Sequence, residues 1–181
     1  MELSSRRVRL GAAWLLILPF LWFARPTGRS LLIGGVLAAV GLCIRALSAG
    51  HIHKERVLTT TGPYAHTRNP LYLGTLLLGL GVTAAGGRWI WVGLFVAFFW
   101  VVYGRTIRAE ADKLQGLFGD AYAEYAGAVP LFVPRLRPYR EPGTGRPVGF
   151  SPARYRRNRE YQAFFGALAG FGFLAARMIW L

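Results

Sequence analysis

Five apolar segments constrain the fold of this chain more than any other feature of its sequence. They cover residues 10–24, 31–48, 71–87, 89–103 and 164–181. Several are shorter than the ~20 residues that a straight membrane-spanning helix needs. None carries a charge at its centre, and the Trp, Tyr and Arg residues at their ends can complete short or tilted spans. We therefore predict an all-α polytopic membrane protein with about five transmembrane helices and a cytoplasmic helical cap.

Charged side chains are few and strongly unbalanced in sign. Only 17% of the 181 residues are charged, against about 25% in a typical soluble domain, and the formal net charge is +14. Nucleic-acid-binding proteins are also basic, but the apolar segments favour a membrane, with anionic lipid headgroups as partners, and we expect no nucleic acid. Cys43 is the only cysteine, which excludes an internal disulfide framework and a thiolate metal cluster.

The basic residues alternate between the two sides of the predicted spans. Of the 22 Lys and Arg residues, 18 lie in the N-terminus, the second connection and the chain after the fourth segment, and 4 lie on the other flanks. The positive-inside rule then predicts a cytoplasmic N-terminus and an external C-terminus in a cell inner membrane. We expect the first segment to be retained as a signal anchor, since no small-residue cleavage site follows it. The basic stretch 154–159 is interpreted as a flank that contacts anionic headgroups.

The chain is predicted to form one membrane domain over 1–181, with its last transmembrane helix at about 161–181. Helical spacing after Tyr103 predicts a continuation of the fourth helix and a second short helix. A proline-rich, extended stretch along the membrane surface should follow. Two groups of glycines predict close helix packing. They are Gly74, Gly79 and Gly81 in the third segment, and Gly166 and Gly170 in the fifth.

All three histidines lie in the second connection, and Glu110 follows the fourth span. Both regions are cytoplasmic in the predicted topology, so a helical fold could bring them together in a site at the inner membrane face. Three interpretations of His51, His53 and His66 remain open. They could be metal ligands with Glu55, interfacial side chains without a function, or groups that bind an organic cofactor or substrate. His51 and His53 are two residues apart, which points them to different helix faces, so we expect no metal.

The stretch at 59–74, TTTGPYAHTRNPLYLG, is more polar and stiffer than a connection between two apolar helices needs to be. Gly-Pro-Tyr fixes a turn, and Pro70 keeps Asn69 out of helical geometry before the third segment begins. The turn therefore presents a set of polar side chains at a helix N-terminus: Tyr64, His66, Arg68, Asn69 and Tyr72. Free N–H groups at such a terminus suit a carboxylate, so the stretch indicates a binding site.

Together with EADKLQGLFGDAYAEYAGAVPLFVP at 110–134, this stretch resembles the isoprenylcysteine carboxyl methyltransferase and phospholipid methyltransferase superfamily. The family pattern is G-P-Y-x-x-x-R-[HN]-P-x-Y-x-G, followed by E-E-x-x-L-x-x-x-F-G-x-x-Y-x-x-Y and V-P-x-x-x-P. The match covers about 49–134. Members are integral membrane enzymes that use S-adenosylmethionine. The resemblance implies methyl transfer to a carboxylate or amine of a membrane-embedded lipid or lipidated acceptor at the cytoplasmic face.

The resemblance also implies a cofactor site built from both motifs. Residues before the turn would line the adenosine side, the turn and the start of the third segment would enclose the methionine end, and Glu110 would hold the amino group or the ribose. The implied set is Arg56, Val57, Leu58, Thr59, Tyr64, His66, Asn69, Pro70, Leu71, Tyr72 and Glu110. A carboxylate acceptor needs no base. An amine acceptor would need one, for which the candidates are His51, His66 and Glu110.

The sequence departs from the family pattern where the substrate is expected to bind. The second glutamate of the family's pair is Ala111, followed by Asp112, and the substrate-facing arginine one turn before the first glutamate is Thr106. Arg105 or Arg108 could take the place of that arginine and bind the substrate. Two alternatives from other classes remain: a membrane lipid reductase that uses a nicotinamide cofactor, and a non-enzymatic lipid-binding membrane protein.

Overall fold

The computed structural model describes residues 15–52, 57–140 and 149–180, and every regular element in these ranges is helical. Residues 15–23 form α1. The later helices are α2 (Gly28–His51), α3 (Pro70–Ala85), α4 (Trp89–Ala128), α5 (Pro152–Arg157) and α6 (Tyr161–Trp180), and a short 3-10 helix covers Gly62–Ala65. The predicted all-α class is confirmed, and α6 begins where the last predicted span begins.

Three of these helices, α2, α4 and α6, are long and apolar enough to cross a membrane. The 16 residues of α3 give a length of about 24 Å at ~1.5 Å per residue, less than the ~30 Å hydrocarbon core of a bilayer. The chain is therefore a polytopic membrane protein in which α3 is a short apolar helix. The predicted first span lies partly outside the described residues, so the count of five remains a prediction.

The pair formed by α2 and α3 is the most extensive helix contact in the described structure. The two helices run antiparallel and approach through glycines seven residues apart, with Gly34 facing Gly81 and Gly41 facing Gly74. A Cβ atom on Gly41 would lie 2.5 Å from the backbone nitrogen of Leu78, so a side chain at this position would force the helices apart. The predicted packing role of Gly74 and Gly81 is thus confirmed.

The other predicted packing glycines behave differently from one another. Gly79 packs against the ring of Phe95 on α4, so it serves the α3–α4 contact. Gly166 and Gly170 on α6 would carry a Cβ atom with no other described residue within 4 Å. The prediction of close packing at these two positions was wrong, because glycine on an apolar helix is compatible with a lipid-facing surface as well as with an interface.

The 40 residues of α4 extend about 60 Å at ~1.5 Å per residue, roughly twice the thickness of a hydrocarbon core. Its second half therefore lies beyond the apolar part of the bundle. Gly119 interrupts the helix with φ 53° and ψ −126°, a conformation that glycine adopts readily. This kink divides α4 into the two pieces that the sequence predicts after Tyr103.

Residues 24–30 and 84–91 include the connections α1–α2 and α3–α4. We call this end of the bundle, opposite the turn that precedes α3, the opposite end. The Ser30 hydroxyl donates to the Ala85 carbonyl at 3.0 Å, and the Arg25 backbone N–H donates to the Gly86 carbonyl at 2.8 Å. Arg177 of α6 donates from Nε to the Ala24 carbonyl at 2.8 Å, which satisfies a group that α1 leaves free where it ends. This end is closed by short hydrogen-bonded turns.

The short helix α5 closes the other end of α2. Asn158 donates its side-chain amide to the Ala49 carbonyl at 2.9 Å, and Arg154 donates from Nε to the Gly50 carbonyl at 2.7 Å. These carbonyls belong to the last turn of α2, where intrahelical donors run out. Arg154 was predicted to contact lipid headgroups with the rest of 154–159. That part was wrong, because Arg154 turns inward to cap α2.

One largely buried ion pair attaches α6 to the rest of the bundle. Arg45 of α2 binds both carboxylate oxygens of Glu160, with Nε–Oε2 at 3.0 Å and Nη2–Oε1 at 2.9 Å. Its remaining Nη1 donates to the hydroxyl of Thr75 on α3. The two charged side chains are 21% and 11% exposed. A single guanidinium thus joins α2, α3 and the start of α6, in the two-pronged geometry that arginine forms with carboxylates.

Candidate functional site

The turn before α3 has the rigid form that its Gly-Pro-Tyr sequence predicts. Gly62 adopts φ 61° and begins the 3-10 helix that ends at Ala65, with Pro63 in its first turn. A Cβ atom on Gly62 would lie 2.6 Å from Cδ2 of His51, so only glycine fits here on both grounds. We call residues 57–70 and 129–139, which meet around this turn, the site end of the molecule.

The extended segment 129–139 lies across the turn and is tied to it by backbone hydrogen bonds. The Arg68 N–H donates to the Pro130 carbonyl at 3.0 Å, and the Tyr139 N–H donates to the Ala65 carbonyl at 2.9 Å. The Arg135 N–H donates to the His66 carbonyl at 2.9 Å. The segment is extended, as its prolines predict, and it covers the turn.

Three side chains of the turn reinforce this attachment. The Thr67 hydroxyl donates to the Phe132 carbonyl at 2.9 Å, and the Asn69 side-chain amide donates to the Leu131 carbonyl at 2.9 Å. His66 Nδ1 lies 2.8 Å from the Arg135 carbonyl. A nitrogen that faces a carbonyl must carry the proton, which leaves Nε2 of a neutral imidazole as an acceptor. Asn69 and His66, both expected at the cofactor, therefore each use one polar group to hold the turn.

A cavity of about 80 Å³ lies behind the turn, against the second half of α4. Several residues that the resemblance assigns to the cofactor line it. Its walls are formed by Ile52, Val57, Leu58, Thr59, Tyr64, Arg68, Leu114, Phe118, Tyr122 and Tyr125. Arg56, expected at the same place, lies outside the described residues. The structure therefore brings four of the assigned residues, at 57–59 and 64, into one cavity with aromatic groups from α4.

Two buried polar groups on the cavity wall have no hydrogen-bond partner among the described residues. They are the Tyr64 hydroxyl and the Nε of Arg68. Tyr64 is only 7% exposed, and burial raises the pKa of its phenol well above the usual range, with further contributions from nearby Tyr125 and the charge of Glu110. Buried polar groups are normally paired, so these two are available to a ligand.

Arg68 brings a positive charge into this cavity. Its Nη1 donates to the Tyr122 hydroxyl at 3.2 Å, and its guanidinium carbon lies 5.8 Å from the centre of the same ring. In the part of the chain that the structure describes, no carboxylate lies within ion-pair distance of Arg68. Such a half-buried guanidinium can bind a carboxylate with charge-assisted hydrogen bonds.

Tyr72 and Glu110 form the contact that links the two sequence motifs. The Tyr72 hydroxyl donates to Glu110 Oε1 at 2.9 Å, and the Tyr72 ring lies 5.5 Å from that of Tyr103. This hydrogen bond orients the exposed carboxylate and leaves its other oxygen free to accept from a cation. Neither Tyr72 nor Glu110 is among the residues that line the cavity.

The predicted substrate arginines lie on another side of α4. Arg105 and Arg108 line an open groove of about 580 Å³, between α4 and residues 131–132. Trp100, Gly104 and Phe132 form part of its walls. Arg105 is five positions before Glu110, a rotation of about 140° around a helix of 3.6 residues per turn. The structure therefore separates these arginines from the Tyr72–Glu110 pair.

His51 is held at the end of α2. Its Nδ1 lies 2.7 Å from the Leu47 carbonyl, and its ring meets that of Phe150 edge to face at 6.2 Å. As with His66, this contact leaves Nε2 as the acceptor of the neutral ring. His53 and Glu55 lie outside the described residues. Within the described ranges, no three His, Cys, Asp or Glu side chains are grouped as metal ligands.

Comparison with known proteins supports the family resemblance. Residues 36–121 match the family described as phospholipid methyltransferase. The protein-S-isoprenylcysteine O-methyltransferase of Schizosaccharomyces pombe is 30% identical over 59% of this chain and 47% of its own length. Protein-S-isoprenylcysteine O-methyltransferase B of Arabidopsis thaliana is 29% identical over 62% of this chain and 60% of its own length. Over these residues the chain is similar to the isoprenylcysteine carboxyl methyltransferase and phospholipid methyltransferase superfamily.

A relative with another kind of name matches a similar share of the chain. The cobalt-zinc-cadmium resistance protein CzcN of Cupriavidus metallidurans is 36% identical over 62% of this chain and 51% of its own length. The chain thus spans about half the length of the curated relatives it matches. No solved structure matches it. The family match ends at residue 121, so α5, α6 and the Glu160 ion pair lie outside the matched residues.

Two features of the site were missed by the sequence reasoning. Arg68 was noticed as part of the turn but given no cofactor role, although the superfamily pattern itself contains this arginine. Tyr122 and Tyr125 were taken only as signs of helical spacing. Tyr125 donates its hydroxyl to the Tyr64 carbonyl at 2.6 Å, which fixes the turn. The fixed tyrosines of the second superfamily motif were the signal for this contact.

Proposed function

We propose that this chain is an S-adenosylmethionine-dependent methyltransferase that acts on a lipid or lipidated acceptor in the membrane. The names of two relatives and of the matching family support methyl transfer. The observation that carries the cofactor assignment is the cavity at the turn, where the Tyr64 hydroxyl and Arg68 Nε are buried without partners. A polar ligand that reaches both groups would satisfy them.

The charges around the cavity fit the zwitterionic end of S-adenosylmethionine. Arg68 would bind the carboxylate, with the Tyr64 hydroxyl as a second donor. Glu110, held by Tyr72, would accept a hydrogen bond from the ammonium group. In this arrangement residues of both motifs would supply the opposite charges that an amino acid moiety needs.

The size of the cavity limits how much of the cofactor it can enclose. Its volume of about 80 Å³ is below the ~300–1,000 Å³ of pockets that bury whole ligands of drug size. We therefore assign one end of the cofactor to it. The remainder would extend past Val57, Leu58 and Thr59 toward Arg56, in agreement with the order that the resemblance implies.

The chemistry itself asks little of the chain beyond alignment. S-adenosylmethionine would supply a methyl group on a positively charged sulfur, and the residues of the site would hold the acceptor atom in line with it. Holding the two reactants in line and excluding water can account for most of the acceleration, with effective molarities of ~10⁵ M or more. A carboxylate acceptor is already ionised. For an amine, Nε2 of His51 or His66, or Glu110, would take up the proton.

The acceptor is assigned to the groove of Arg105 and Arg108. Its volume of about 580 Å³ can hold a long apolar group against Trp100 and Phe132, and its two guanidinium groups can bind a carboxylate or phosphate. Ile107 also lines this groove, and the reacting end of the acceptor would have to reach around α4 from the groove toward the cofactor. We propose that the acceptor enters it sideways from the bilayer, at the cytoplasmic face of an inner membrane.

The test is a transfer assay on membranes that contain the purified chain and a radiolabelled methyl donor. Organic extraction then separates labelled lipid from labelled protein. We expect label in a lipid or lipidated fraction, and binding of S-adenosylhomocysteine by calorimetry. The double variant R105M/R108M should raise the acceptor KM at least tenfold and leave the affinity for S-adenosylhomocysteine unchanged. A matched control is R137Q/R140Q, which removes two exposed arginines outside the groove.

Each alternative gives a different outcome in the same material. Binding of a reduced nicotinamide cofactor instead of S-adenosylhomocysteine would favour a lipid reductase. Binding of neither, with no label transferred, would favour a lipid-binding protein without catalysis. Transfer at the parental rate by R105M/R108M would remove the arginines from the mechanism but leave the methyltransferase assignment in place.

A further inference from the structure

A long apolar trough runs between α2 and α6. Two adjoining grooves form it, of about 280 and 200 Å³, and they share Ala39, Leu42 and Phe164 as walls. We call this surface the α2–α6 trough. It extends along α2 from Gly35 to Ala46. Small residues of α2 line the bottom of the trough, and phenylalanines of α6 form one of its walls.

The trough has the length of one lipid tail region. The 12 residues from Gly35 to Ala46 are separated by 11 helical steps, which correspond to about 16 Å at ~1.5 Å per residue. One leaflet of a bilayer has a hydrocarbon thickness of ~15 Å, half of the ~30 Å core. The trough therefore crosses a single leaflet, the one next to the site end, since Ala46 lies near the end of α2 that joins the turn.

The mouth of the trough at this end is positively charged. Tyr155 and Glu160 line it, but the charge of Glu160 is neutralised by Arg45. Immediately beside it, Arg156, Arg157 and Arg159 are exposed. Within the described residues, none of these three has a carboxylate at ion-pair distance. Apolar walls that end in unpaired arginines match a molecule with a hydrocarbon tail and an anionic head.

We propose that the α2–α6 trough binds one anionic phospholipid of the bilayer, with a tail between α2 and α6 and its phosphate at the arginines of α5. The site is distinct from the acceptor groove, because α5 and α6 lie outside the region that matches the superfamily and on another side of the bundle. The bound lipid fills the space between α6 and α2 and fastens α6 in addition to the Glu160 ion pair. The proposal does not depend on methyl transfer.

Native mass spectrometry of the detergent-extracted, delipidated full chain tests this site. Phosphatidylglycerol is titrated against phosphatidylcholine of the same tail composition. We expect one phosphatidylglycerol retained per chain, at least fivefold more tightly than phosphatidylcholine. A39F places a ring in the trough and should weaken retention at least fivefold. V40F is the matched control, since Val40 is the next residue, is 47% exposed and does not line the trough.

The head-group contact is tested separately, because the two substitutions act on different parts of the lipid. R156Q/R157Q should abolish the preference for phosphatidylglycerol and keep the tail-dependent binding, while R137Q/R140Q should keep the preference. Equal retention by A39F and V40F would overturn the trough as the tail site. Equal affinity of the parental chain for the two lipids would overturn the anionic head group. Residues 39 and 40 are both exposed, so we expect both variants to fold, and thermal unfolding in detergent checks this.

Discussion

The two ends of the helix bundle use the same kinds of contacts but satisfy their polar groups to different degrees. At the opposite end, the Ser30 hydroxyl donates a hydrogen bond to the Ala85 carbonyl, and the Arg177 guanidinium donates one to the Ala24 carbonyl. Among described groups there, only the indole N–H of Trp91 is buried without a partner, and it is uncharged. At the site end, the unpaired groups are the Tyr64 hydroxyl and the Nε of charged Arg68.

This difference separates what a connection needs from what a site needs. Both ends join antiparallel helices, and the opposite end does so with short turns and a few side-chain hydrogen bonds. The site end adds an extended segment, a kinked helix and a buried cation to accomplish the same topological step. An unsatisfied buried donor costs about 1–3 kcal/mol. Two such donors in one cavity lower the free energy of unfolding, and a ligand that pairs with both would offset this cost.

The largest expected effect is the loss of cofactor affinity in R68M. Removing a charged hydrogen bond of about 1.5–3 kcal/mol corresponds to a weakening of roughly 10–150-fold, since about 1.4 kcal/mol is a factor of ten. R25M is the control at the opposite end, where the Arg25 side chain is exposed. Calorimetry with S-adenosylhomocysteine measures both. Equal affinities in R68M and R25M would show that the two ends do not differ in the proposed way.

Much of the scaffold could be read from the sequence, because hydrophobic runs and proline-glycine punctuation act locally. The start of α3 at Pro70, the division of α4 and the beginning of α6 at Tyr161 follow from such local signals. Tyr64 and the residues 57–59, which the resemblance groups together, also share a cavity, while their role in cofactor binding stays a prediction. These features need no knowledge of which segments meet.

The remaining features depend on which helix faces meet, and local sequence patterns do not determine those contacts. Arg105 was grouped with Glu110 because it is close in the chain, although five positions turn it to another side of the helix. Asn69 was assigned to the cofactor, while its amide binds Leu131, which is 62 positions away. The pairing of Arg45 with Glu160 spans 115 positions and had no local signal.

A smaller effect is expected when a side-chain hydrogen bond that holds a connection is removed, and its size should differ between the site end and the opposite end. N69A removes the 2.9 Å hydrogen bond to the Leu131 carbonyl, which keeps only a 3.5 Å bond from the Thr67 hydroxyl, and should lower the free energy of unfolding by about 1–3 kcal/mol. S30A at the opposite end removes the bond to Ala85 and should lower it by about 1 kcal/mol. Urea or thermal unfolding in detergent measures this quantity.

Of these two variants, only N69A should change the cofactor affinity of the site. N69A loosens segment 129–139 from the turn that carries Tyr64 and Arg68, so we expect at least a threefold loss of affinity for S-adenosylhomocysteine. S30A should retain the parental affinity. If the two variants lost affinity to the same extent, the turn and the opposite end would be coupled through the bundle, and the separation of scaffold and site would fail.

The smallest effect, and the most specific, is expected for Y64F. The Tyr64 hydroxyl is buried without a partner, so its removal should leave the free energy of unfolding unchanged or raise it by up to about 1 kcal/mol, while affinity for S-adenosylhomocysteine falls. Y125F is the matched control, because it removes a hydroxyl that is bonded to the Tyr64 carbonyl at 2.6 Å and should destabilise the chain by about 1 kcal/mol. A Y64F chain that is less stable than the parent and binds S-adenosylhomocysteine equally well would mean that this hydroxyl serves the fold. The opposite pattern, equal or greater stability with weaker binding, is what a group reserved for a ligand produces.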